Sequence, residues 1–215
     1  MNMNTVIIDY GSGNLHSALK SFQRVANINN RGSVQVSDNP NVLKDADRIV
    51  LPGVGSFDDC MEGLLSKKDL MTILKKRVLG DGIPFLGICV GFQLLADFGH
   101  ENKENSPGLG WIRGQVKRIL SSHNNFRVPH MGWNSLVFDK KHELVKGLPR
   151  LIDMYFLHSY HLELNDKNDR IAHVSYSSQL TAIVAKGNIS GTQFHPEKSQ
   201  GAGQKFIENF LCWNP

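Results

Sequence analysis

Short apolar runs in the first half of the chain repeatedly give way to residues at helical spacing, and this alternation constrains the fold most. Thr5-Val6-Ile7-Ile8 ends at Asp9 and the turn Gly11-Ser12-Gly13-Asn14; Leu15, Ala18, Leu19, Phe22, Val25 and Ala26 then recur with the helical period. Asp47-Arg48-Ile49-Val50-Leu51 stops at Pro52-Gly53. Leu70, Ile73, Leu74, Arg77 and Val78 make a second amphipathic pattern, closed by Gly80. Residues 83–88 have the length of a buried strand, and 90–98 read as a helix stopped by Gly99. Such an order predicts an α/β fold, a parallel sheet with helices on both faces. The second half differs. Residues 115–120, 135–138, 154–158, 171–175, 181–185 and 189–194 read as closely spaced strands, which predicts added antiparallel pairs before a last helix over about 203–211.

The 215 residues are 40% hydrophobic and 20% charged, the balance of a globular chain. At this length a core needs no covalent staples. No linker, repeat or low-complexity tract interrupts residues 1–215, which read as one domain. The excess of 24 Lys and Arg over 20 Asp and Glu is scattered, so no nucleic-acid stripe is expected. No run approaches the ~18 apolar residues of a membrane span, and the first residues lack a signal-peptide pattern. Cys60, Cys89 and Cys212 are odd in number and lack CxxC spacing, which fits neither a disulfide framework nor a Cys-rich zinc site. The expectation is a cytoplasmic protein with reduced thiols and no metal or cofactor.

One cysteine stands apart. Gly87-Ile88-Cys89-Val90-Gly91 lies between an apolar run and a helical one, the pattern of a sharp strand-to-helix turn that presents a nucleophile. An isolated cysteine is more often a small buried hydrophobe, and Cys60 and Cys212 read that way. A thiol nucleophile needs a base and a group that orients the base. His195-Pro196-Glu197 supplies both types, with the proline expected to hold the backbone extended so that His195 and Glu197 face one site. Acyl chemistry also needs oxyanion donors. The residue after the nucleophile, Val90, offers one N–H, and the glycine-rich strand end Pro52-Gly53-Val54-Gly55 could turn another toward the same place.

Together, Pro52-Gly53-Val54-Gly55, Gly87-Ile88-Cys89-Val90-Gly91-Phe92-Gln93 and Gln193-Phe194-His195-Pro196-Glu197 resemble the class I glutamine amidotransferases, triad glutaminases on a flavodoxin-like, doubly wound fold. Ile8-Asp9-Tyr10-Gly11-Ser12-Gly13-Asn14-Leu15, Pro129-His130-Met131-Gly132-Trp133-Asn134 and His158-Ser159-Tyr160 are similar to the glutaminase subunits of imidazole glycerol phosphate synthases, and the likeness covers essentially the whole chain. The resemblance implies hydrolysis of L-glutamine to glutamate and ammonia. The ammonia would pass to a (β/α)8-barrel cyclase that makes imidazole glycerol phosphate and AICAR in histidine biosynthesis. It implies Cys89 as nucleophile, His195 as proton carrier, Glu197 as its orienting group, and Gly53 and Val90 as oxyanion donors. Gly55, Gln93, Glu101, Ser159 and Tyr160 would surround glutamine. Asn14, Pro129, His130, Met131, Gly132, Trp133, Asn134 and Lys198 would meet the cyclase, and Pro52 to Gly55 would rearrange before turnover. Val90 and Phe92 stand where the family often has Leu and Met, and the stretch after Gln93 lacks the family's acidic run. A related branch supplies ammonia for amidation of bacterial surface sugars. A stand-alone cysteine hydrolase is the other alternative, favoured if residues 129–134 form a core strand instead of a docking surface. An intact Cys89, His195 and Glu197 argue against a catalytically silent module.

Overall fold

The computed structural model describes residues 3–120 and 126–215. Four strands of the first half, β1 (Asn4–Ile8), β2 (Ser33–Ser37), β3 (Arg48–Gly53) and β4 (Phe85–Cys89), lie parallel in the order β2-β1-β3-β4. Ile189–Thr192 adds a fifth parallel strand beside β4. Gln179–Lys186, Arg170–Ser175 and Val137–Phe138 then extend the same sheet antiparallel. A parallel core with antiparallel additions from the second half is therefore what forms.

Helix placement follows from handedness. The step from β1 to β2 runs one way across the sheet through α1 (Leu15–Ile28). The steps to β3 and β4 run the other way through α2 (Pro40–Lys44), α3 (Phe57–Ser66) and α4 (Lys68–Lys75). Right-handed crossovers put α1 on one face and α2 to α4 on the opposite one. The final helix, Gln200–Cys212, packs against α1. β3 and β4, covered on both faces, are buried along their whole length.

Three sequence expectations need correction. The helix expected over 90–98 is only α5 (Val90–Gln93). The carbonyls of Leu94, Leu95 and Ala96 accept instead from the backbone N–H groups of Leu109, Trp111, Ile112 and Gly110, so the ladder stops there. The strand expected over 135–138 is two pieces. His130–Ser135 pairs with Asp153–His158, and Val137–Phe138 joins the large sheet, with Leu136 turned into the core between them. Helix α3 escaped the periodicity reading, although its signal was present: Ser56 caps it by accepting from the Asp59 N–H, and Asp58 and Asp59 fill its first turn.

Candidate active site

Cys89 ends β4 and immediately precedes α5, with φ at 55° and ψ at −109°. A non-glycine residue there is strained, and the turn directs the thiol beyond the sheet's carboxyl edge. In the strand register Cys89 lies opposite Gly53. The turn fits because its neighbours lack side chains. A Cβ on Gly91 would sit 1.9 Å from the Leu51 carbonyl oxygen, and one on Gly53 would sit 2.5 Å from the Gly91 nitrogen. Gly91→Ala must therefore move backbone, and its cost is expected at or above the upper end of the about 1–3 kcal/mol typical of overpacking. Urea unfolding midpoints check this; an unchanged midpoint would contradict the close approach.

The base reaches Cys89 from the neighbouring strand. Ile189–Thr192 runs parallel to β4, so the residues after it arrive at the same sheet edge. His195 is buried, its backbone N–H donating to the Tyr155 carbonyl and its carbonyl accepting from the Ser199 hydroxyl. Its Nδ1 lies 2.9 Å from Glu197 Oε1. Pro196 does not extend the chain as expected. Residues Pro196–Lys198 form a 3-10 turn, and that turn swings Glu197 back to the ring. Burial disfavours the imidazolium, but hydrogen bonds to Cys89 and Glu197 outweigh it and push His195 up to about 10. The arrangement stabilises a proton on the ring between a sulfur and a carboxylate.

Behind the glycine-rich strand end lies a set of contacts absent from the sequence expectations. Ser12 grips one residue at both ends: its hydroxyl donates to the Val54 carbonyl at 2.7 Å and accepts the Val54 N–H at 3.2 Å. Tyr10 donates to the Pro52 carbonyl, and Cys60 lies 3.3 Å from the Val54 oxygen. Burial pushes the Cys60 thiol up and Tyr10 far above its ordinary value, with Cys60 adding to the Tyr10 shift. Cys60 thus packs behind the strand, as a structural residue would. The β1–α1 turn and α3 together fix Pro52, Gly53 and Val54 beside the nucleophile.

Cys89, Val90, Gly55, Gln93, Glu101, Ser159, Tyr160 and His195 line one cleft of about 290 Å³, near the lower end for a small-molecule site. Gln93 commits both amide hydrogens inward, to the Tyr160 carbonyl at 2.8 Å and Gln193 Oε1 at 3.1 Å, leaving its oxygen to accept from a ligand. Glu101 Oε2 accepts the N–H of Phe57, the first residue of α3. Burial pushes the Glu101 carboxyl up, partly offset by that bond, with Asp58 and Asp59 adding to the rise. His158 and Leu157 also line the cleft, and the expected set lacked both. Strand alternation flags at most one of them, since adjacent residues on Asp153–His158 face opposite sides. A wider hollow under residues 136–151 carries Lys140, Lys141, Lys146 and Arg150 but no nucleophile beside a base, so the smaller cleft is the chemical one.

The register of the two-stranded ribbon sorts the expected docking residues. Met131 and Trp133 face outward opposite Leu157 and Tyr155, with Met131 65% and Trp133 48% exposed. Pro129 and Lys198 are exposed too, and the Lys198 ammonium lies 5.8 Å from the Tyr155 ring centre. This apolar face, with one cation, adjoins the cleft. His130 does not belong to it. The side chain is 3% exposed and points inward, because it alternates with Met131. Gly132 and Asn134 share that inward register and are half-buried. Asn14 is half-buried and caps α1 through the Ser17 N–H.

Among the described residues no group of three His, Cys, Asp or Glu side chains is placed to hold a metal ion, and no helix is long and apolar enough to cross a membrane. Solved structures of similar shape include a glutamine amidotransferase with TM-score 0.71 and 17% identity, covering 95% of this chain and 98% of the other. Another, a glutamine amidotransferase from Thermotoga maritima, has TM-score 0.66 and 18% identity, covering 97% and 82%. At such identities the likeness shows the fold. Sequence relatives are nearer. The imidazole glycerol phosphate synthase subunit HisH of Cereibacter sphaeroides is 48% identical over 99% of this chain and 100% of its own length. The HisH subunit of Ruegeria pomeroyi is 47% identical over the same shares. The family model described as glutamine amidotransferase class-I matches residues 6–213. A thiol at a strained strand–helix turn, met by a buried histidine–glutamate pair, is the arrangement that match accounts for, and the chain belongs to the class-I glutamine amidotransferase family.

Proposed function

We propose that the chain is the glutaminase subunit of an imidazole glycerol phosphate synthase, hydrolysing L-glutamine and passing ammonia to a (β/α)8-barrel cyclase in histidine biosynthesis. Cys89 sulfur attacks the side-chain amide carbon. His195 gives its proton to the departing nitrogen, the C–N bond breaks, and a γ-glutamyl thioester remains. His195 then takes a proton from water, which attacks the thioester and releases glutamate and the thiol. Glu197 holds the ring through Nδ1, so Nε2 faces the sulfur. Val90, first in α5, has no intrahelical acceptor for its N–H, and with Gly53 it is the oxyanion donor pair. Gln93, Glu101, Gly55, Ser159 and Tyr160 enclose the amino-acid end of glutamine.

The observation that carries this reading is the 2.9 Å His195–Glu197 bond on a ring that lines the same small cleft as Cys89. The exposed apolar face of Met131, Trp133 and Leu157, with Lys198 beside it, supports a docked barrel partner over a stand-alone hydrolase. The cyclase's substrate distinguishes the histidine pathway from surface-sugar amidation, and the full-length relatives favour the former. Incubation with the glutamine-like diazoketone diazo-oxonorleucine, with a barrel cyclase present, is expected to add one adduct at Cys89 by peptide mass. An unmodified Cys89 overturns the reading.

A further inference from the structure

The ribbon that joins the docking face to the cleft sets two histidines directly opposite each other, His130 on one strand and His158 on the other. Their rings meet at 3.0 Å between His130 Nδ1 and His158 Nε2. His158 Nδ1 lies 2.8 Å from the Tyr160 carbonyl, the same oxygen that accepts from Gln93. At the other end Asn134 Nδ2 lies 3.2 Å from His130 Nε2. We infer that His130 and His158 are positioning residues, forming a one-way hydrogen-bond relay that ties the strand His130–Ser135 to the Gln93 wall of the glutamine cleft. The inference rests on the glutaminase reading.

The direction of every link follows from what each atom can do. A carbonyl only accepts, so His158 Nδ1 carries the proton and Nε2 holds a lone pair. His130 Nδ1 must then donate to it, which leaves His130 Nε2 as an acceptor. Asn134 supplies the donor there. Its amide cannot be reversed, because Oδ1 already accepts the Ser135 N–H at 2.8 Å and Nδ2 also donates to the Ser175 carbonyl. Burial holds both rings neutral, as the relay requires, lowering His130 to about 4; burial and then the neighbouring His130 lower His158 to about 3. Packing fixes the ring planes as well: His130 stacks on Phe156 at 4.8 Å and leans on Tyr176 at 4.1 Å.

The relay has a geometric consequence. Asn134 alternates along its strand with Trp133, so a shift of that strand on docking is felt at His130 first. His158 transmits it to the Tyr160 carbonyl, the anchor of the Gln93 amide. The Gln193 amide, which accepts from Gln93, lies 3.9 Å from the Cys89 sulfur through its own nitrogen. Glutamine alignment and docking therefore share one set of hydrogen bonds, without either histidine touching the reacting atoms.

The test uses two reagents on the full chain with a barrel cyclase present. Diazo-oxonorleucine needs an aligned cleft, whereas iodoacetamide needs only the Cys89 thiol; peptide mapping separates Cys89 from the exposed Cys212. His158→Phe is expected to slow diazoketone addition about tenfold or more, the consequence of orphaning a buried acceptor and donor. His158→Asn, which restores a donor where Nδ1 stood, should recover to within about threefold of wild type. Iodoacetamide rates at Cys89 should stay within about twofold throughout. Equal diazoketone rates for wild type and His158→Phe, or a parallel fall with both reagents, overturn the relay. Nitrogen NMR of the wild-type imidazoles needs no folded variant. Both rings should be neutral with the proton on Nδ1, and an Nε2–H tautomer at either overturns it. A wild-type Cys89 inert to the diazoketone counts against the glutaminase reading instead.

Discussion

Cys89→Ala is expected to abolish glutamine-dependent synthesis by the complex, lowering its rate by about four orders of magnitude or more, while synthesis from added ammonia continues. Removing a triad nucleophile leaves only binding and oxyanion stabilisation, hence the size of the effect. No other thiol can substitute. Cys60 is buried behind the glycine-rich strand end against Ser12 and Val54, and Cys212 lies on the final helix. Ammonia-dependent synthesis survives because the cyclase performs that chemistry. The substitution also relieves little strain, since alanine at a φ of 55° is no better placed than cysteine. The measurement is synthesis by the complex with each nitrogen source in turn. Loss of both activities would make Cys89 a structural residue.

How much of this site was legible in the sequence depends on whether a feature is local. Gly87-Ile88-Cys89-Val90-Gly91 announces its turn because the geometry needs glycine within two residues of the thiol, and the structure places Gly91 against Leu51 for that reason. His195 and Glu197 were legible for the same cause, although their meeting depends on a 3-10 turn in place of an extended backbone. The parallel half of the sheet was legible because period and handedness act over short stretches. Contacts between distant segments left no local trace. Ser12 and Val54 are 42 residues apart, and nothing near Ser12 shows that its hydroxyl holds the glycine-rich strand end beside Cys89. The helix expected over 90–98 failed for a related reason, since donors from residues 109–112 take the carbonyls that would have extended it. His130 was misread because its face depends on the register with Asp153–His158. A motif names residues, whereas a register decides which of them turn inward.

Glu197→Gln separates orientation from charge. The amide oxygen of glutamine can still accept from His195 Nδ1, so the ring keeps its place and the cleft its shape. The neighbouring negative charge is lost, and with it the Coulombic attraction of Glu197 that helps raise His195 against the cost of burial. The imidazolium formed as Cys89 attacks is then less stable, and glutamine turnover is expected to fall by roughly two to four orders of magnitude with little change in KM. The same substitution has a signature in stability. A folded-state value raised to about 10 from an ordinary 6.5 means the folded chain holds the proton more tightly. That contribution is fully present below about pH 6.5 and fades as the pH rises through 10. Wild type should therefore exceed Glu197→Gln in stability most at and below pH 6.5, with the gap narrowing toward pH 10. Urea midpoints across that range measure it, and a gap that widens with pH would mean that Glu197 does not stabilise the charged ring.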